Sequence, residues 1–295
     1  MLQYLHMKNN PMFTLTLHEQ AIARLKKTYE NNLVPSANPY MDALIKIDGC
    51  TISIYTSKKV VFAGALAKEM ATLFGYQETP FFDHIGSDEV GTGDYFGPIV
   101  VCSAYIDHKT RELVKHLPIR DSKTMSDAQV VQLAKELTPI VAFSLLVLDN
   151  RKYNQLHETQ NMNQIKAKLH NQALLHLVKK IKLTPKIIVD QFTPEKNYYQ
   201  YLHDQESIVR NIQFETKAES KYIGVAIAAI LARASFLKAL DQLESQLKLP
   251  LLKGASDEVD NCGVQVVKQY GWPTLDKVAK MHFKNTQKIQ EKLKK

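Results

Sequence analysis

Two acids stand side by side at Asp88-Glu89, and Val90-Gly91-Thr92-Gly93-Asp94-Tyr95-Phe96-Gly97-Pro98 follows at once. Adjacent carboxylates are hard oxygen donors. The glycines behind them permit φ > 0 and let backbone N–H groups approach phosphate or hydroxyl oxygens. No Gly-Lys-Ser/Thr follows, so this is not a P-loop. A third acid, Asp190, ends the apolar run Ile187-Ile188-Val189, and the carboxyl ends of strands are where open α/β sheets gather ligands. An acid there is costly to desolvate unless it meets a cation or strong donors. A fourth, Glu219, lies in Thr216-Lys217-Ala218-Glu219-Ser220-Lys221, just ahead of a long apolar helix. Each acid has a plainer role open to it. Asp88 and Glu89 suit a solvated hairpin, Asp190 a cap for the turn through Gln191-Phe192-Thr193, and Glu219 or Ser220 a helix cap. Three or four carboxylates without a cysteine or histidine cluster point to Mg²⁺ or Mn²⁺ rather than zinc.

The bulk of the chain bears on its partner. Its 295 residues include 38 Lys and Arg against 30 Asp and Glu, a formal net charge of +8. Such an excess suits a polyanion, because bound lysines displace counterions from phosphates, although it also serves solubility. No uninterrupted apolar run of 18 residues occurs, so no membrane partner is expected. Residues 1–8 lack the basic start and apolar stretch of a secretory signal. Cys50, Cys102 and Cys262 are odd in number and far apart, against both a disulfide framework and structural zinc. A cytoplasmic monomer is expected. His84, His170, His203 and His282 show no spacing that makes a metal site or catalytic pair.

The elements that must position these acids fall into two groups. Residues 13–17 alternate like a strand and 19–31 are apolar at helical spacing, while 34–39 read as a loop. Short strands over 43–47, 51–55 and 60–62 are joined where Asp48-Gly49 and Ser57-Lys58 suit tight turns, and a helix over 66–74 stops at Gly75. Beyond residue 84 the pattern lengthens, with strands over 98–106, 141–148, 186–190 and 208–214. Helices are expected over 162–182 and 222–247, with a lysine-rich helical end over 277–295. That alternation predicts an α/β domain around a central sheet.

The block from Asp88 to Pro98 resembles the first active-site motif of the type 2 ribonuclease H family, and the threonine between its glycines resembles the ribonuclease HIII branch. Asp121-Ser122-Lys123, Val189-Asp190-Gln191-Phe192, Lys217-Ala218-Glu219, Ala228-Ala229-Ile230-Leu231-Ala232-Arg233 and Leu252-Lys253-Gly254-Ala255-Ser256 continue the match in family order. The resemblance implies a ribonuclease H-like central mixed sheet flanked by helices over 85–295. It further implies a 77–84 linker and a small α+β TATA-binding-protein-like, substrate-binding domain over 1–76. It implies an endoribonuclease that cuts the RNA strand of RNA–DNA hybrids, leaving 3′-hydroxyl and 5′-phosphate ends. Two Mg²⁺ or Mn²⁺ ions would be held by Asp88, Glu89, Asp190 and Glu219, with Asp88 shared between them. The family often has aspartate where Glu219 stands. Gly91, Thr92 and Gly93 match the element that reads ribose 2′-hydroxyls, and Ser122, Lys123 and Lys253 match positions near the substrate backbone. Lys46, Tyr55 and Lys58 are expected to add grip on the hybrid, and Lys288, Lys292, Lys294 and Lys295 to form a solvated face. A resolvase-like DNA-cutting nuclease and a non-catalytic hybrid-binding protein are the competing readings.

Overall fold

The computed structural model describes residues 11–76, 81–119 and 124–294. The chain divides into two compact units, Met1–Pro80 and Phe81–Lys295, each with its own five-stranded sheet.

In the first unit the strands are β1 (Met12–Thr16), β2 (Leu33–Val34), β3 (Met41–Ile47), β4 (Cys50–Tyr55) and β5 (Lys59–Ala63). They pair antiparallel in the order β1-β5-β4-β3-β2. Ile52 and Ile54 of β4 point inward with Ile45, Val60 and Phe62, under helices α1 (Glu19–Thr28) and α2 (Ala67–Leu73). The period of two then puts Thr51, Ser53 and Tyr55 on the other face, where Lys46 pairs across from Thr51. Gly49 and Lys58 take the positive φ that the two tight turns need. The expected loop at 34–39 begins one residue late, because Leu33 and Val34 add a short edge strand to β3.

The second unit holds β6 (His84–Val90), β7 (Ile99–Ile106), β8 (Ala142–Leu148), β9 (Lys186–Asp190) and β10 (Ile212–Glu215), in the order β10-β9-β6-β7-β8. β6, β7 and β8 run antiparallel; β9 joins β6 in parallel and β10 joins β9 in parallel, giving a mixed sheet. Helix α3 (His108–Val114) follows β7. Helix α4 (Asp127–Leu137) precedes β8 and is entered through a capping box between Ser126 and Gln129. α5 (Asn150–His157), α6 (Met162–Ile181) and α7 (Glu195–Tyr201) follow in order, then the long α8 (Ile223–Leu247). The chain closes with α9 (Asp257–Tyr270), α10 (Trp272–Val278) and α11 (Lys284–Leu293). One core lies between the sheet and α8, where Val100, Cys102, Ile227, Ile230 and Leu231 are buried. α6 and α7 cover the opposite face through Leu174, Leu177 and Tyr198. Each such side chain contributes roughly 1.5–3 kcal/mol.

α8 is long and apolar enough, by length and composition alone, to cross a membrane. Its place as the core helix accounts for that composition. It reaches β6 through two glycines. A Cβ on Gly86 would lie 2.0 Å from the backbone nitrogen of Val225, and one on Gly224 would lie 2.9 Å from the His84 ring. Gly86→Ala is therefore expected to lower stability by about 1–3 kcal/mol, read from the urea midpoint. An unshifted midpoint would mean that α8 retreats freely.

Three expectations are corrected. The strand expected over 208–214 covers only Ile212–Glu215, entered through Asn211 at φ 59. The helical end is broken, because Ala279 bridges to Phe96 and Lys280 turns inward before α11 begins. Phe81 and Phe82, read as linker, contact the His84 ring and so belong to the larger unit.

Candidate active site

Parallel pairing of β6 and β9 brings the first and third acids together. The last paired residues are Ser87 and Val189, so Asp88 and Asp190 come one residue further along neighbouring strands at the same edge. Period-two alternation sends Ser87 and Glu89 toward α6 and turns Asp88 the other way. Asp88 Oδ1 accepts the Glu89 backbone N–H at 2.7 Å. Asp190 Oδ1 accepts the Ala218 N–H at 2.8 Å, which fixes the short 3₁₀ turn Ala218–Ser220 against the end of β9 and brings Glu219 beside Asp190. The plainer roles for these residues are not those observed. Asp190 holds Ala218 rather than capping the turn at 191–193, and α8 starts from Tyr222 with no side-chain cap.

Burial sets the electrostatics, and the neighbours divide the acids into two kinds. Burial, followed by repulsion from Glu89, Asp190 and Glu219, holds the Asp88 carboxyl well above the usual carboxylate range. Asp190 is likewise raised, by burial first and then by Glu219 and Glu89, against the lowering effect of the Ala218 N–H. Glu89 goes the other way. Burial works to raise it, but His170 and Lys166 overcome that and pull it down to about 2. Lys166 Nζ lies 2.9 Å from Oε1 and His170 Nε2 lies 2.9 Å from Oε2. Because that carboxylate is ionised, His170 Nε2 is the donor. The far nitrogen, Nδ1, lies 2.8 Å from Ser87 Oγ, which also accepts from Ser103 Oγ.

The glycine turn is braced from behind. Gly91 has φ +96, and a Cβ there would sit 2.2 Å from the Pro98 carbonyl, so no other residue fits. Thr92 is half-buried and Gly93 exposed, with open space around it. Gly254 N donates to Asp94 Oδ1 at 2.6 Å and Tyr95 N donates to the Gly254 carbonyl, tying the 252–256 block to this turn. Lys280 is fully buried and donates to the carbonyls of Asp94 and Gly97 at 2.8 and 2.5 Å. Burial lowers its pKa to about 7.

Donor chemistry fits hard divalent cations, since crowded carboxylates with raised pKa values are relieved by positive charge. Among the described residues, no three acid, histidine or cysteine side chains form a ready-made coordination cage. Both oxygens of Glu89 are already engaged by Lys166 and His170, and Asp190 is bonded to Ala218 and Glu219. Rotation of these side chains is what cation binding would require.

Residues 85–286 match the family model described as Ribonuclease HII, and residues 13–80 match one described only as a domain of unknown function. Ribonuclease HIII of Bacillus mycoides (strain KBAB4) is 38% identical over 299 residues, covering 93% of this chain and 96% of that protein. The chain belongs to the ribonuclease HII family, in its ribonuclease HIII branch. Ribonuclease HIII of Listeria monocytogenes serovar 1/2a is 36% identical over 303 residues, or 95% of this chain and 98% of that protein. The crystal structure of Bst-RNase HIII in complex with Mn²⁺ aligns at a TM-score of 0.73 and 33% identity, over 96% of this chain and 99% of that one. The larger unit therefore has the ribonuclease H-like fold that the resemblance implies.

Within this ribonuclease HIII branch member, Asp88, Glu89, Asp190 and Glu219 gather at one sheet edge. Gly91, Thr92 and Gly93 form the adjoining turn. Lys253 adjoins that turn through Gly254, yet its ammonium is paired with Asp127, which also binds Arg233 at 2.7 Å. Ser122 and Lys123 lie outside the described residues. Sequence reasoning missed Lys166 and His170. The available signal was their spacing of four, which puts both on one face of α6. His282 is held by packing, with Tyr153 Oη 3.3 Å from its Nδ1 and its ring stacked on His157 at 4.0 Å.

Proposed function

We propose that this chain hydrolyses the RNA strand of RNA–DNA hybrids endonucleolytically, leaving 3′-hydroxyl and 5′-phosphate ends. In this reading Asp88, Glu89, Asp190 and Glu219 hold two Mg²⁺ or Mn²⁺ ions. The observation that carries it is the crowding of acids at one sheet edge, which raises Asp88 and Asp190 and calls for positive charge. Bound divalent cations supply charge neutralisation at the scissile phosphate and activation of the attacking water. Asp88, which feels the other three acids, would be the central residue holding the ions. Glu89 and Asp190 flank it. Glu219, on a short turn rather than a strand, would hold its ion more weakly.

Substrate choice rests with the glycine turn. In the turn Gly91-Thr92-Gly93 the space around Gly93 is open and Thr92 is half-buried beside it, which suits a ribose whose 2′-hydroxyl distinguishes RNA from DNA. Lys253, released from Asp127, and Ser122 and Lys123 are assigned to the substrate backbone. The first unit is read as a TATA-binding-protein-like domain that adds affinity through the sheet face bearing Lys46 and Tyr55, with Lys58 beside it. Lys58 is paired with Glu19 at 2.8 Å, an exposed contact that phosphate can displace. The chain is read as a monomer. Three free, buried cysteines support a reducing, cytoplasmic setting.

One gel tests this reading. Labelled RNA–DNA hybrid, DNA duplex and double-stranded RNA are each incubated with Mg²⁺, Mn²⁺ or EDTA. Only the hybrid should be cut, in its RNA strand, and EDTA should stop cleavage entirely. Cutting of the DNA duplex would favour the resolvase-like reading, and binding without cleavage the non-catalytic one.

A further inference from the structure

We infer that Lys166 is a built-in counter-charge of the cation site: it holds Glu89 when no cation is bound and competes with the cation for that carboxylate. The inference rests on the reading of Glu89 as a cation ligand. Lys166 and Glu89 are almost wholly buried, at 8% and 11% side-chain exposure, with 2.9 Å between Nζ and Oε1. Phe192 lies under both partners of the carboxylate. Its ring centroid is 4.1 Å from Lys166 Nζ and 5.2 Å from the His170 ring, stacked on it. His170 is itself fixed from behind by Ser87, which in turn takes a hydrogen bond from Ser103.

A lysine taken out of water loses much of its hydration, and a single buried pair repays that loss only with good geometry. Here the geometry is good and the partner is an acid of the site. Among the described residues, no comparable cation stands beside Asp88 or Asp190. Asp88 and Asp190 are surrounded by carboxylates and backbone donors, so a metal ion relieves them without competition. Glu89 has its charge offset in advance. A divalent ion drawing on Glu89 must sit near the Lys166 ammonium and suffers its repulsion. The pair thus keeps the metal-free edge folded and weakens cation binding, leaving ions able to exchange. By linkage, whatever loosens the Lys166–Glu89 pair tightens the cation, and the reverse.

The test is calorimetric titration of the full chain with Mn²⁺ alone, at fixed pH and salt. Lys166→Met should bind Mn²⁺ about threefold or more tightly than the parent, whereas Lys166→Arg should match the parent. A merely structural lysine would give weaker binding when removed, so unchanged or weaker binding overturns the inference. If Lys166→Met does not fold, Lys166→Gln keeps a hydrogen bond, drops the charge and carries the same expectation. In a Glu89→Gln background the gain from Lys166→Met should vanish. An equal gain there would show that Lys166 acts on the ion directly and not through Glu89, which also overturns the inference. Asp88→Asn separates the two levels: if it leaves Mn²⁺ binding untouched, the cation-site reading itself fails.

Discussion

Asp88→Asn is expected to abolish cleavage of an RNA–DNA hybrid, by at least about a thousandfold in kcat, because several kcal/mol of charge stabilisation go with the cation. The fold should survive. Asparagine keeps an oxygen to accept the Glu89 backbone N–H, now at 2.7 Å. It also removes the one carboxyl that burial and three acid neighbours disfavour most, so the metal-free variant should melt at the same temperature as the parent or higher. Steady-state cleavage in Mg²⁺ and thermal unfolding in EDTA check the two halves separately. Near-normal cleavage by the variant would remove Asp88 from the mechanism. Lost activity together with a lowered melting temperature would instead make Asp88 a structural acid.

Deleting residues 1–75 is expected to raise the dissociation constant for a hybrid about tenfold or more, while the Mg²⁺ and Mn²⁺ dependence of cleavage stays as it was. A second contact surface on the same chain acts as an added local concentration of binding groups, and lysine contacts make it salt-dependent. The β4 face carries Thr51, Ser53 and Tyr55, with Lys46 in register across from Thr51, a mixture of hydroxyls, a ring and a cation suited to a sugar–phosphate surface. The remaining unit keeps a separate core around α8. Fluorescence anisotropy with a labelled hybrid in EDTA measures binding without cleavage. An unchanged constant would reduce the first unit to a passive appendage.

Much of the site was legible because it is built from local pattern. Asp88-Glu89 announces itself by the glycine turn behind it, and Gly91 must be glycine for reasons visible in one dihedral angle and one close approach. Asp190 was legible as the polar end of an apolar strand. Its meeting with Asp88 depends on β6 and β9 pairing in parallel, a non-local choice that hydrophobic periodicity does not encode. Glu219 was ambiguous because a carboxylate before a helix serves a cap or a cation equally well; the Ala218–Asp190 hydrogen bond separates these. Lys166 and His170 were hidden for another reason. On an amphipathic basic helix a lysine and a histidine look solvated, and only tertiary packing reveals them as buried. Lys288 and Lys292, read as a solvated face, pair back with Asp257 and Asn261 on α9. Lys280 was equally invisible, since nothing local distinguishes a lysine that turns inward to two carbonyls from its exposed neighbours.

Diffraction from Mn²⁺-soaked crystals, collected at a wavelength where manganese scatters anomalously, addresses the assignment of the four acids with no reliance on kinetics. Density for at least one ion is predicted within coordination distance of carboxylate oxygens of both Asp88 and Asp190, with Glu89 rotated toward it. Manganese bound elsewhere, in crystals of protein that still cleaves the hybrid, would contradict the assignment.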